Sequence, residues 1–177
     1  MIRQYNEGDV DAVMQIWLDT NIQAHNFISS DYWRINSKMV REMLPHAEVY
    51  VNENDCTYQI DGFIGLNDNY IEGIFVKKTM QSKGIGKQLL NHVKKVKSTL
   101  RLSVYQKNEK AIKFYLREKK NLLWCGNVKL LRKQSVSGSK KIVATITYAP
   151  ADRFFRIELS RVFEATMGET ASCFSKA

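Results

Sequence analysis

The residues best suited to chemistry lie in one glycine-containing segment, residues 81–87, which reads Gln-Ser-Lys-Gly-Ile-Gly-Lys. It follows an apolar run typical of a strand (residues 70–76) and opens a run typical of a helix (residues 84–97). Because glycine has no Cβ, the backbone here can approach a ligand closely. The free N–H groups of the first helical turn, with the positive end of the helix dipole, favour an anion such as a pyrophosphate.

Two common phosphate loops do not fit this segment. A Walker loop needs a glycine where Gln81 stands and a hydroxyl where Gln88 stands, and a Rossmann fingerprint needs a third glycine where Gln88 and Leu89 stand. The pattern Gln-x-x-Gly-x-Gly, formed by Gln81, Gly84 and Gly86, resembles the acyl-CoA pyrophosphate loop of the GNAT superfamily of N-acetyltransferases. On these six residues alone, an ordinary glycine-rich turn before a surface helix is an equal alternative.

A second motif follows another strand-like run, residues 100–104. Asn108, Ala111, Phe114 and Tyr115 match every marked position of Asn-x-x-Ala-x-x-Phe-Tyr, the second signature of the same superfamily. The resemblance implies that the Asn contacts the pantetheine arm of the cofactor and that the Tyr is the general acid for the departing thiolate. The same residues would also serve as a helix N-cap and as core aromatics.

The resemblance covers residues 1–118 and implies acetyl-CoA as the cosubstrate. In the family the pantetheine arm lies between the fourth and fifth strands, which places the N–H of Val76 at the thioester carbonyl. It implies direct attack by the acceptor amine, without a covalent enzyme intermediate and without a metal. The implied cofactor contacts are Phe75, Val76, Gln81, Ser82, Lys83, Gly84, Ile85, Gly86, Lys87, Asn108, Ala111 and Tyr115.

The general base and the acceptor are less defined. Glu72 precedes Val76 by four residues, which places both on one face of a regular strand and makes Glu72 the first candidate base; it could instead be a solvent-facing carboxylate. His25 is a second candidate base, with a structural histidine as the alternative. His25, Phe27 and Tyr32 lie in the stretch that lines the acceptor pocket in the family, and they suggest a small-molecule amine or a peptide N-terminus.

The order of the elements predicts an α/β domain. Pattern alone supports a mixed sheet with helices. The resemblance sharpens this to the GNAT fold, with a central, mostly antiparallel sheet, splayed strands 4 and 5, and flanking helices. Asp61 and Gly62 mark a bulge in the third strand, and Asn54 and Asp55 mark a turn.

Composition excludes several classes of protein. The chain has 177 residues, 44% of them hydrophobic, with no apolar run of the roughly 20 residues that span a bilayer. Its three cysteines show no paired spacing, which favours a reducing cytoplasm, and we interpret Cys56 as a buried residue on a strand. Nucleic acid is not an expected partner, because most of the net charge of +9 lies after residue 117 and no recognised binding module accompanies it. A monomer or a homodimer is expected.

The C-terminal third departs from the family. We divide the chain into a core, residues 1–118, and an atypical segment, residues 119–177, which lacks the expected Gly-Phe pair. Residues 122–131 and 140–148 could form a replacement hairpin around a polar loop, 134–139, followed by a helix within 152–167. An alternative is that the reading frame changed near Lys119. A different class of function also stays open, a CoA-binding regulatory or inactive protein without turnover.

Overall fold

The computed structural model describes residues 1–105 and 107–120, with side chains up to residue 118, and the backbone of residues 129–136 and 139–145. Single 3-10 turns precede the first helix, follow the second helix and follow the fourth strand. The helices and strands are β1 (Ile2–Gln4), α1 (Val10–Ala24), α2 (Ser30–Met43), β2 (Glu48–Glu53), β3 (Ile60–Asn67), β4 (Tyr70–Val76), α3 (Ile85–Val96), β5 (Arg101–Tyr105), α4 (Glu109–Lys120), β6 (Lys129–Val136) and β7 (Ser139–Thr145).

These strands form one mixed sheet in the order β1-β2-β3-β4-β5-β7-β6. Strands β1 to β4 pair antiparallel, β4 and β5 pair parallel, and β7 pairs antiparallel with both β5 and β6. The parallel pair needs a crossover connection, which α3 supplies. The predicted α/β fold with a mostly antiparallel sheet is confirmed.

Strands β4 and β5 diverge soon after they meet. Among the described residues they pair only at Tyr70 with Arg101 and at Ile71 with Leu102. Beyond that point, in the same part of the chain, β4 pairs with β3 and β5 pairs with β7. The predicted splay is therefore confirmed, and it opens a cleft, called the β4–β5 cleft below, between residues 72–76 and residues 103–105.

Two bulges interrupt the pairing of β3. Asn52 pairs with Gly62 while Glu53 pairs with Ile60, so Asp61 is the extra residue, as the sequence predicted. Gly65 pairs with Gly73 while Leu66 pairs with Ile71, so Glu72 is an extra residue in β4. The second bulge was not predicted, and it lies at the beginning of the β4–β5 cleft.

The sheet is covered on both faces. On one face α3 packs its apolar stripe on the sheet; the buried side chains there include Ile64, Leu66, Ile71, Leu89, Leu90, Val93, Leu100 and Leu102. On the other face lie Val13, Met14, Ile16, Leu44, Val49, Val51, Ile60 and Phe63, supplied by α1, the turn after α2, and strands β2 and β3. Strand β3 supplies both clusters, which explains why seven of its eight residues are buried.

The α3 side of this core makes a measurable prediction for stability. Leu89 is 0% exposed, so Leu89→Ala should lower the free energy of unfolding by about 2–5 kcal/mol through lost burial and a residual cavity. Val96, on the same helix, is 53% exposed, and Val96→Ala should change stability by less than about 0.5 kcal/mol. Urea unfolding of both variants checks this, and equal losses would contradict the packing described.

The sequence interpretation of Cys56 as a buried strand residue is wrong. Cys56 is exposed and lies in the turn before β3, not on a strand. The side-chain oxygen of Asn54 accepts the backbone N–H groups of Cys56 and Thr57, at 3.0 and 3.1 Å. This bonding closes a local turn and delays the strand until Ile60.

The C-terminal hairpin differs in detail from the prediction. The described part of its first strand is Lys129–Val136, and the earlier part of the predicted strand, residues 122–128, lies outside the described residues. Residues 134–136 and Ser139, predicted as loop, are paired between β6 and β7. The predicted helix within residues 152–167 lies outside the described residues, and the division of the chain at residue 118 stays a prediction. Across the described residues, no helix is long and apolar enough to cross a membrane.

Candidate active site

The glycine-containing segment forms a tight loop between β4 and α3. Gly84 is the N-cap of α3 with φ of 86°, and Ser82 also has a positive φ, 64°. Left-handed backbone is costly for residues with a Cβ, and glycine adopts it freely. The side-chain amide of Gln81 donates to the carbonyl of Val76 at 3.0 Å. The loop is thereby tied to the end of β4.

This loop can hold a phosphate group. Ser82, Lys83, Gly84 and Lys87 are exposed, whereas the side chain of Ile85 is buried in the core. A Cβ built on Gly84 would meet no atom within 4 Å, so the loop needs glycine there for its backbone conformation and leaves space in front of it. Open N–H groups at the start of a helix, two lysines and free space together fit a pyrophosphate.

The backbone of β4 presents N–H groups to the cleft. The N–H of Lys77 donates to Asp61 of β3 at 2.9 Å. Because successive N–H groups of a strand point to opposite sides, the N–H of Val76 points away from β3 and into the β4–β5 cleft. The carbonyl of Val76, bonded to Gln81, faces the same way. The side chain of Phe75 instead stacks on Phe63, with ring centroids 4.7 Å apart, on the α1 face of the sheet.

Helix α4 lies beside the glycine-containing loop and the end of α1. The side-chain oxygen of Asn108 accepts the N–H of Ala111 at 3.1 Å, so Asn108 is an N-cap. Phe114 packs close to the loop, since a Cβ built on Gly86 would lie 3.5 Å from its ring. The N-cap role uses only the carboxamide oxygen of Asn108, so its NH₂ group is left for other contacts.

The phenol of Tyr115 is protonated at neutral pH. It is half-buried, packs against the core cluster beneath α3, and its ring lies 5.1 Å from that of Phe114. Burial raises the pKa of Tyr115 well above its ordinary value, and the nearby Tyr70 adds to this. The phenol therefore keeps its proton at neutral pH, as a general acid must.

Aromatic rings cluster around His25 on the opposite face of the sheet. His25 stacks on Trp33 at 5.2 Å and meets the edges of Phe27 and Tyr105 at 5.7 and 5.0 Å. Tyr32 lies 5.1 Å from Trp33. The structure thus brings together all three residues predicted for the acceptor pocket, and we call the group His25, Phe27, Tyr32, Trp33 and Tyr105 the aromatic cluster.

The position of Glu72 corrects the sequence interpretation. Glu72 does not share the face of Val76, because the bulge at Glu72 reverses the alternation along β4. A Cβ built on Gly65 would lie 4.0 Å from the Cβ of Glu72, and Gly65 pairs with Gly73, on the face that carries Phe75. Glu72 is exposed on the α1 face, the face that carries the aromatic cluster.

Two residues of this region were missed in the sequence. The first is Tyr105, which belongs to the aromatic cluster. The second is Tyr70, whose phenol hydrogen-bonds to Ser103 of β5 and whose pKa is raised by burial. Alternation along β5 gives a usable signal, since Leu102 and Val104 are buried and Ser103 and Tyr105 must point to the opposite face.

Among the described residues, no group of three His, Cys, Asp or Glu could hold a metal ion.

Comparison with known proteins identifies the family. A family model described as an acetyltransferase (GNAT) domain matches residues 45–118. The peptidyl-lysine N-acetyltransferase YiaC of Escherichia coli is 34% identical over 117 residues, which are 65% of this chain and 79% of that protein. The chain belongs to the GNAT acetyltransferase family. The peptidyl-lysine N-acetyltransferase YjaB of E. coli is 26% identical over 114 residues, 64% of this chain and 77% of its own length.

The GNAT fold is also seen in solved structures. The solution structure of apo YjaB from E. coli superposes with a TM-score of 0.68 at 21% identity, covering 85% of this chain and 98% of that one. A GCN5-related N-acetyltransferase from Rhodopseudomonas palustris gives 0.64 at 15% identity, covering 85% and 95%. Members of the GNAT family use acetyl-CoA as acetyl donor, and the phosphate loop and the outward N–H of Val76 fit that molecule.

Proposed function

We propose that this acetyltransferase transfers the acetyl group of acetyl-CoA to a primary amine, the side chain of a protein lysine, by direct attack in a ternary complex. The observation that carries the proposal is the β4–β5 cleft, which has the phosphate loop at one end, Tyr115 on one side and the aromatic cluster on the other. The names of YiaC and YjaB support lysine in particular. These two names favour a lysine side chain over the small-molecule amine or peptide N-terminus that the sequence suggested.

The reaction needs three groups of this chain. The neutral amine attacks the thioester carbonyl, forming the C–N bond, while the N–H of Val76 stabilises the negative charge that develops on the carbonyl oxygen. The C–S bond then breaks, and the phenol of Tyr115 gives its proton to the thiolate of CoA. The proton lost by the amine goes to Glu72, directly or through one water.

The aromatic cluster suits the side chain of a lysine. Four methylene groups can pack on aromatic rings while the amine reaches the cleft. An aromatic face also attracts an ammonium group, and within this chain the Nζ of Lys107 already lies 5.4 Å above the ring of Phe27. The exposed Glu72 lies on the same face and supplies a negative charge for the arriving lysine.

The proposed base gives a prediction for kinetics. Glu72→Gln keeps the size of the side chain and its ability to hydrogen-bond but removes the basic carboxylate, so it should lower kcat/KM for the acceptor about 10- to 100-fold. Steady-state kinetics measures this effect. Glu48→Gln, a change of the same kind on β2, is the control and should keep its kcat/KM. An unchanged kcat/KM in Glu72→Gln would exclude Glu72 as base.

An acceptor panel tests the proposed function. Full-length protein is incubated with acetyl-CoA and three acceptors: a lysine peptide with a blocked N-terminus, a lysine-free peptide with a free N-terminus, and a set of small amines. Mass spectrometry should show acetylation of the lysine peptide first and fastest. Acetylation of the small amines or the free N-terminus alone would overturn the lysine proposal. Acetyl-CoA binding without acetylation of any acceptor would favour a regulatory protein without turnover.

A further inference from the structure

A chain of three contacts runs from the end of α1 to the start of α4 beside the β4–β5 cleft. Nδ1 of His25 lies 3.2 Å from the carbonyl oxygen of Asn21. Nε2 of the same ring lies 3.4 Å from the side-chain nitrogen of Asn108. The side-chain oxygen of Asn108 accepts the N–H of Ala111 at 3.1 Å. We call this set the His25 bridge.

The polarity of the His25 bridge follows from its two ends. A carbonyl oxygen only accepts, so Nδ1 of His25 must carry the proton that bonds to Asn21. In a neutral imidazole Nε2 is then an acceptor. At the other end the N–H of Ala111 holds the oxygen of the Asn108 carboxamide and leaves its NH₂ group toward His25. Each of the three contacts therefore joins one donor to one acceptor when the ring is neutral.

Packing fixes the imidazole in the plane that these bonds need. The ring is stacked on Trp33 with an interplanar angle of 29°, and the edges of Phe27 and Tyr105 meet it at 90° and 67°. A ring held on three sides by other rings loses little further freedom when it bonds to Asn108. The bridge is thus pre-organised by the aromatic cluster.

We propose that His25 is a positioning residue for acetyl-CoA, acting through the amide of Asn108. The inference rests on the proposed function and takes Asn108 as the contact to the pantetheine arm that the family resemblance implies. The NH₂ group of Asn108 has two hydrogens, and His25 accepts one, which fixes the direction of the other. The same ring anchors Phe27 and Trp33, so the walls of the acceptor side and the cosubstrate side are joined through one residue.

Binding measurements with matched variants test the bridge. His25→Phe keeps an aromatic ring among Trp33, Phe27 and Tyr105 but removes both hydrogen bonds, so the Kd for acetyl-CoA should rise about tenfold. His25→Gln returns an acceptor to Asn108 and should restore part of the affinity. His92→Phe, the same substitution on α3 where the ring packs against Tyr50, is the control and should bind as the original chain does.

A double-mutant cycle separates positioning from a direct contact. Asn108→Ala should weaken acetyl-CoA binding, and His25→Phe added to it should weaken binding no further, since His25 acts only through the amide. Effects that multiply, or tighter binding by His25→Phe, would overturn the proposal. Normal binding by both the original chain and His25→Phe would overturn it while leaving the proposed function intact. No binding by the original chain would overturn both.

Nitrogen NMR of the free, unsubstituted protein tests the bridge without a ligand and without any variant. The ring nitrogens of a neutral histidine differ in chemical shift according to which one carries the proton. We expect the Nδ1–H form of His25, with Nε2 unprotonated and accepting from Asn108. The Nε2–H form would contradict the bridge.

Discussion

Tyr115→Phe is expected to lower kcat roughly 100- to 1000-fold, because it removes the proton that the proposed mechanism gives to the departing thiolate. The Kd for acetyl-CoA should change by no more than about threefold, since the ring and its packing against Phe114 remain. Steady-state kinetics and calorimetry on the same preparation measure the two effects. A loss of binding that matched the loss of kcat would show that Tyr115 holds the cosubstrate and is not the acid.

The raised pKa of Tyr115 adds a pH signature to this prediction. A general acid works while it is protonated, so its activity is present below its pKa and is lost as the pH rises through it. Burial raises the pKa of Tyr115 above the ordinary tyrosine value of about 10. The kcat of the original chain should therefore show no alkaline fall due to Tyr115 below about pH 10.

A matched control is available in the outer part of the sheet. Tyr50→Phe also removes one phenolic hydroxyl, which in Tyr50 bonds to Glu48 at 3.0 Å. That hydroxyl lies on β2, two strands away from the β4–β5 cleft. The variant should keep its kcat within about twofold. A comparable loss in both variants would mean that the effect of Tyr115→Phe is not specific to the cleft.

Gly84→Glu should weaken acetyl-CoA binding by more than about 100-fold. The left-handed backbone of Gly84 costs about 1–2 kcal/mol for any residue with a Cβ, and the new carboxylate faces the phosphates of the cosubstrate. Gly84→Ala separates the two causes. Its Cβ meets no atom within 4 Å, so it adds backbone strain alone. If the free loop relaxes to relieve this strain, binding must restore it, and acetyl-CoA binding should weaken by at most about tenfold.

Calorimetry across salt concentrations measures both parts of this effect. The charge repulsion in Gly84→Glu is partly screened by salt, whereas the strain in Gly84→Ala is not. Gln59→Glu places the same charge in the exposed turn before β3 and should bind acetyl-CoA normally. Equal binding by Gly84→Glu and the original chain would contradict the assignment of residues 81–87 as the phosphate loop.

The parts of the site that were predictable are those that depend on local backbone conformation. A short loop before a helix needs glycine where φ is positive, and Gly84 stands at that position. The prediction for the N–H of Val76 came with the family resemblance, and its outward direction is seen only through the bond from Lys77 to Asp61 in the structure. The splay of β4 and β5 came with the family resemblance, since no residue pattern in either strand specifies where a parallel pair must separate.

The parts that were not predictable depend on partners distant in sequence. The face of Glu72 is set by a bulge that forms only against β3, so strand alternation gave the wrong face. The aromatic cluster joins the α1–α2 connection to β5, some 80 residues later, through the contact of His25 with Tyr105. Cys56 was misplaced because the carboxamide of Asn54 closes a turn that apolar patterning does not show.

A crystal structure with a bisubstrate adduct, in which CoA is joined through an acetyl linker to the Nε of a lysine peptide, tests the central claim most directly. The account predicts the pyrophosphate on residues 81–87 and the pantetheine arm between β4 and β5. It also predicts the sulfur beside the phenol of Tyr115 and the lysine stem against the aromatic cluster. An adduct bound outside the β4–β5 cleft, or a lysine stem on the α3 face of the sheet, would contradict it.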